Sequence, residues 1–213
     1  MATGEGAVLA LAAEIRSRFV SPTDRSTAAL FGDAAAGALL EPCPPGEGLL
    51  AIGLRSDGRG ADTVQIPAGG SREPASPESV AAGRHTLVMA DGPQVYFSAV
   101  EGMVDTARQL LERLELSWDE VALVVPHQPN ARLLNRLARV AGFSPEKLFV
   151  NVQRYGNTSG AACPLALDEA LRSGRLQPGD RVALITAGAG YTAGAALLVV
   201  DEDLLRRASD SAT

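Results

Sequence analysis

Three short segments combine residue types that can do chemistry. The first, Val124-Val125-Pro126-His127-Gln128-Pro129-Asn130, puts a histidine just past an apolar run. In α/β folds ligands gather beyond the carboxyl ends of strands, and a neutral imidazole there can donate a hydrogen bond to a substrate carbonyl. The same histidine can equally satisfy neighbouring backbone groups. The second, Arg154-Tyr155-Gly156-Asn157-Thr158-Ser159, follows another apolar run and opens a helical pattern. Asn157 is there either a helix cap or an amide donor aimed at a developing oxyanion. The third, Thr186 to Thr192, sets glycines between two apolar stretches. It is either a plain tight turn or a turn whose backbone N–H groups line a site. It lacks the following helix and the spacing of a dinucleotide fingerprint.

Other candidates carry less. Cys163 lies in the first turn of a helical pattern, where a thiolate is favoured, so a Cys163–His127 dyad is conceivable. A small core residue beside Pro164 is the plainer alternative. Cys43, between Pro42 and Pro44, has no catalytic context, and His85 beside Arg84 reads as structural. Ser159 with His127 offers no third partner and no nucleophile elbow. The two histidines and two cysteines have no metal-ligand spacing.

The positioning elements follow from patterning. Gly6–Glu14 and Ser26–Leu40, the latter interrupted by Gly32-Asp33 and small residues, read as two strands in succession, with no helix to cover them, and Glu41–Gly48 as a Pro/Gly loop. Leu49–Leu54 is a short strand, Arg55–Ala82 a polar excursion, and His85–Met89 a further short strand. Val100, Val104, Ala107, Leu111 and Leu114 recur at helical spacing. Val121–Val125 reads as a strand buried on both faces. Asn130–Ala141 is helical, Leu148–Val152 a strand, and Ser159–Ser173 a helix stopped by Gly174. Val182–Thr186 and Ala195–Val200 are the last strands, before a tail that starts helical and frays. Alternation from residue 94 onward indicates an α/β layered fold.

Composition narrows the function classes. Apolar residues make up 46% and charged residues 21% of 213, which suits a packed core rather than disorder. A net charge of −6 disfavours nucleic acid as the main partner, since phosphate binding needs a basic face. The amino-terminal segment has no basic region followed by a long apolar core, so no signal peptide is read, and sparse cysteines fit a reduced cytoplasm. Val182–Val200 is uncharged and long enough to span a bilayer, but its glycines and threonines fit two strands better.

Taken together, the segments resemble β-ketoacyl-ACP synthase III condensing enzymes. SPTDRSTAALFGDAAAGALL (residues 21–40) resembles that family's DRxTxxxFGDGAGA block, and VVPHQPNARLL (124–134) its PHQAN segment. Residues 151–197, from NVQRYGNTS to TAGAAL, resemble its RYGNTSAASxPLALDEA…GGGF…GAAL end. The resemblance implies a thiolase-like layered fold. It divides the chain into the last strands of the amino-terminal half (1–48), a connection (49–90), the carboxy-terminal half (91–202) and a tail (203–213).

The resemblance also implies roles. His127 and Asn157 would hydrogen-bond the thioester oxygen of malonyl-ACP during decarboxylative condensation. The Ala189 N–H would serve a second oxyanion hole. Arg25 would pack on the adenine of coenzyme A, and Arg132 with Asn130 would face the pantetheine phosphate or the acidic carrier protein. No metal or organic cofactor is implied beyond the acyl-CoA and malonyl-ACP substrates. Neither Cys43 nor Cys163 aligns with the family nucleophile. Pro129, Ala189, Tyr191, Ala34 and Ala187 depart from the usual residues. The expectation is therefore a split enzyme in a hetero-oligomer built on a thiolase-type dimer, with the cysteine on a partner chain. A stabilising or specificity subunit, an acyltransferase of the same fold, and a piece of a longer parent are the alternatives.

Overall fold

The computed structural model describes residues 6–210. The first part contains β1 (Val8–Ile15), α1 (Arg25–Ala28), β2 (Asp33–Leu40), β3 (Gly48–Gly60), β4 (Val64–Gln65), α2 (Pro77–Ala81) and β5 (Val88–Met89). Then follow α3 (Gly92–Arg113), β6 (Leu123–Pro126), α4 (Ala131–Ala141), α5 (Val152–Tyr155), α6 (Ala162–Arg172), β7 (Arg181–Gly188), β8 (Gly190–Val199) and α7 (Glu202–Asp210).

The central sheet has the order β3-β8-β7-β6. β6 and β7 are parallel, and the other pairs are antiparallel. Leu123, Val124 and Val125 are each at most 2% exposed, because helices cover both faces of the sheet. Val124 joins the core made with α3 and α4, while Leu123 and Val125 join the core made with α6 and α7. The uncharged Val182–Val200 stretch forms most of β7 and all of β8. No described helix is long and apolar enough to cross a membrane.

α3 starts at Gly92, well ahead of Val100, because Asp91 caps it by accepting from Gln94 N at 2.9 Å and Pro93 sits in its first turn. β3 continues past Leu54 to Gly60 by pairing with β8, so part of the expected excursion is strand. Within the rest, α2 forms behind a Ser76–Ser79 capping box. Only Val88–Met89 of the expected strand at 85–89 is paired.

Two strand expectations fail at chain reversals. Ser26–Leu40 is not one strand: Asp24 caps α1, and pairing resumes at Asp33. Leu148–Val152 is not a strand either, for Leu148 makes a single bridge to Val124 and Val152 begins α5. The expected helix from Ser159 opens as a 3₁₀ turn, Ser159–Ala161, and becomes α-helical at Ala162. The tail is helical as far as Asp210, beyond which it lies outside the described residues, as do the first five residues of the segment read for a signal peptide.

β1 and β2 form a separate antiparallel pair, from Val8 opposite Leu40 to Ile15 opposite Asp33. The expectation that no helix covers this pair is wrong on one side: α6 lies against β2, and the 3₁₀ turn lies against β1. The opposite face is open. Leu9 is 61%, Leu11 74% and Ile15 60% exposed. The second edge of β1 is unpaired among the described residues.

Candidate active site

The parallel pairing of β6 with β7 runs one step past β6, where His127 N donates to Ile185 O at 2.7 Å. The imidazole is thereby fixed at the carboxyl edge of the sheet in a residue only 9% exposed. Burial pushes its pKa down to about 4, the Arg16 charge acts the same way, and a hydrogen bond with the Ser159 backbone opposes them. The ring is therefore neutral at physiological pH.

Asn157 reaches the same edge by a different route. α5 stops where Gly156 takes φ 69°, and the chain turns back against the segment before β2. Asn157 N donates to Leu30 O at 2.8 Å, and Gly32 N donates to Asn157 O at 3.0 Å. This approach demands glycine at 32, since a Cβ there would sit 1.9 Å from Tyr155 O. The Asn157 side chain accepts from Ser159 N at 2.9 Å through Oδ1. Its acceptor is used locally, which orients the amide donor Nδ2.

Ser159 ties the residues together. It has φ 53°, uncommon for a residue with a Cβ and a conformation that clusters at functional sites. Its backbone faces His127, its N–H holds Asn157, and its Oγ accepts from Arg16 Nη2 at 2.6 Å.

A polar chain that starts from buried Gln128 and Asn151 supports both loops. Gln128, 1% exposed, donates from Nε2 to Pro126 O and Phe149 O, both at 3.0 Å, and accepts from Asn151 N at 3.1 Å. Asn151 Nδ2 donates to Glu169 Oε2 at 2.9 Å, and Tyr155 Oη donates to Glu169 Oε1 at 2.5 Å. Arg154 pairs with the same carboxylate. The loop after β6 and the loop before Asn157 thus share one set of hydrogen bonds.

The other expected residues are more dispersed. Ala189 forms the exposed turn between β7 and β8, at the same end of the parallel β6–β7 pair as His127. Arg25 is exposed in the first turn of α1, and Arg132 is exposed on α4. Asn130 Oδ1 accepts from Leu133 N at 2.8 Å and so caps α4. The Cys163–His127 dyad is overturned. Cys163 Sγ donates to Val125 O at 3.4 Å, and burial pushes the thiol up to about 12, where no thiolate forms. Cys43 is exposed, with Sγ donating to Glu47 O at 3.3 Å. A groove of about 420 Å³ between the ends of β3 and β8 and α3 is lined by Arg55, Gln94, Ser98, Asp105 and Tyr191, and includes neither His127 nor Asn157.

Sequence reasoning missed Arg16, Gln128 and Glu169. Arg16 follows directly on the apolar run of β1, a place where a charge is unexpected. Gln128 and Glu169 lie in the quoted blocks, but nothing local marks them as partners.

Comparison with known proteins identifies relatives of the chain as a whole. Residues 1–58 match 3-Oxoacyl-[acyl-carrier-protein (ACP)] synthase III, and residues 111–200 match 3-Oxoacyl-[acyl-carrier-protein (ACP)] synthase III C terminal. A β-ketoacyl-[acyl-carrier-protein] synthase III of Symbiobacterium thermophilum is 44% identical, over 89% of this chain and 57% of its own length. A 3-oxopimeloyl-[acyl-carrier-protein] synthase of Rhodothermus marinus is 42% identical, over 90% of this chain and 55% of its own length. The crystal structure of a 3-oxoacyl-(acyl carrier protein) synthase III from Pseudomonas aeruginosa superposes with a TM-score of 0.82 at 34% identity, covering 92% of this chain and 59% of that one. The chain therefore spans between half and two thirds of the length of these relatives. Its thiolase-like fold and its two matched regions together place it in the 3-oxoacyl-ACP synthase III family.

Proposed function

We propose that this chain supplies the decarboxylating side of a ketosynthase III site, joining an acyl thioester to malonyl-ACP. The observation that carries the reading is the convergence of neutral His127 and oriented Asn157 on Ser159. The attacked acyl group sits on a cysteine that neither Cys43 nor Cys163 can supply. That cysteine comes from a complementary segment or a separate subunit, which also covers the open face of β1.

The chemistry follows from charge movement. As malonyl-ACP loses CO₂, the electron pair of the breaking C–C bond passes into the thioester carbonyl and leaves an enolate oxygen. Two fixed neutral donors stabilise that oxygen in the transition state more than in the ground state. A ring held neutral does not return a proton to the enolate. The enolate carbon then attacks the acyl thioester on the cysteine, and the thiolate leaves. The Ala189 N–H serves the oxyanion formed in that second step.

Arg25 and Asn130 fit the coenzyme A and pantetheine path. Arg132, Arg136 and Arg139 recur at the spacing of one helix face on α4, and Arg136 lies 4.8 Å over the Phe97 ring. Such a face suits an acidic acyl carrier protein. The reaction draws only on thioester substrates, in a cytoplasmic setting.

The test uses the chain assembled with its cysteine-bearing complement. His127→Ala is expected to lower condensation by on the order of 10²–10³, while mass spectrometry still finds the cysteine acylated. Full condensation by that variant overturns the reading.

A further inference from the structure

Arg16 is out of keeping with a site built from neutral donors. It directly follows the last residue of β1, and its side chain is 29% exposed. Nη2 donates to Ser159 Oγ at 2.6 Å, on the residue that holds both His127 and Asn157. Nε lies 3.0 Å from Glu14 Oε2, yet it is buried and makes no directed hydrogen bond. Glu14 is itself shared, since its Oε1 accepts from Gly160 N at 3.1 Å. The guanidinium is therefore aimed by Glu14 and Ser159 while its donor capacity is only partly used. A planar guanidinium presents five N–H donors in a fork that matches a carboxylate.

A substrate carboxylate can meet a cation in such a reaction at two places. The malonyl carboxylate is consumed as CO₂. A cation gripping it would stabilise the ground state and lose that contact in the transition state, which slows the step. A carboxylate at the far end of the acyl group persists unchanged through acylation and condensation, so a cation can hold it at no such cost. An alkyl chain end, by contrast, would leave a partly buried charge facing apolar groups.

Resting on the ketosynthase reading above, we propose that Arg16 selects an acyl group that ends in a free carboxylate, a dicarboxylic half-thioester rather than a fatty acyl thioester.

The test compares succinyl-, glutaryl- and adipyl-CoA with butyryl-, pentanoyl- and hexanoyl-CoA as acyl donors to the assembled enzyme, with malonyl-ACP as extender. The wild type is expected to favour at least one dicarboxylic donor over its monocarboxylic counterpart in kcat/KM. Arg16→Leu should reverse that ratio by on the order of 10²-fold, as expected for lost hydrogen bonds to a charged group, and Arg16→Lys should restore part of it. A wild type that favours every monocarboxylic donor overturns the proposal. So does an Arg16→Leu variant that loses activity on both series alike, which would make Arg16 a positioning residue for Ser159. A rise in KM for malonyl-ACP alone, equal for all donors, also overturns it and assigns the cation to the extender. Failure of the ketosynthase reading is seen separately, as His127→Ala still condensing either series.

Discussion

The β3-β8-β7-β6 sheet and the β1–β2 pair are built from similarly apolar strands, yet their surroundings differ. Helices cover both faces of the first, and Leu123, Val124 and Val125 are at most 2% exposed. The second is covered on one face only, and Leu11 stands 74% exposed on the other. The buried sheet holds His127 by its own parallel register. The half-covered pair contributes residues to the same site, Arg16 and the Leu30–Gly32 segment, and leaves an apolar face and a strand edge to be filled. Contiguous exposed apolar surface of that kind marks an interaction face.

The contrast is sharpest in stability. Leu134 is fully buried between α4 and the sheet, so Leu134→Ala should cost about 2–5 kcal/mol in denaturant unfolding of this chain. Leu11→Ser should change the stability of the chain alone by no more than about 0.5 kcal/mol. It should instead weaken pairing with the proposed cysteine-bearing complement, read as a raised dissociation constant in titration calorimetry. Equal costs in the two regions would erase the distinction.

The buried imidazole gives a pH signature. Its folded pKa of about 4 lies below the ordinary imidazole value of 6.5, so between those pH values the unfolded chain binds a proton that the folded site refuses. Stability therefore falls as pH falls through that window, by at most about 3 kcal/mol, and is fully present above it. Denaturation of wild type and His127→Gln at pH 7 and pH 4.5 isolates the contribution: the variant should lose less on acidification. A smaller effect is expected at Glu169. Glu169→Gln keeps the packing but weakens the bonds to Asn151, Arg154 and Tyr155. It should lower the condensation kcat by about tenfold through misplacement of Asn157, a loss equal to about one charge-assisted hydrogen bond, with acylation of the cysteine unaffected.

The same contrast governed what was legible in the sequence. Buried elements announce themselves through continuous apolar runs and helical spacing, so β6, α3, α4 and the β7–β8 pair stand close to where patterning put them. The segments 26–32 and 148–152 depart from the strands that patterning predicts, because their conformation is set by contacts across the fold. Leu30, Gly32 and Asn157 exchange hydrogen bonds across the fold, and no local period reports that. His127 and Asn157 were recognisable from their blocks. Arg16 was not, because its meaning lies in its contact with Ser159, far along the chain. Cys163 was legible for the opposite reason: a small residue beside Pro164 reads as core, and burial against Val125 keeps the thiol protonated.

The most direct test of the account is mass spectrometry of the assembled enzyme carrying His127→Ala, after exposure to acyl-CoA and then malonyl-ACP. The account predicts that the acyl group stays on the cysteine of the complement and that condensed product falls by on the order of 10²–10³. Product formed at the wild-type rate would contradict it.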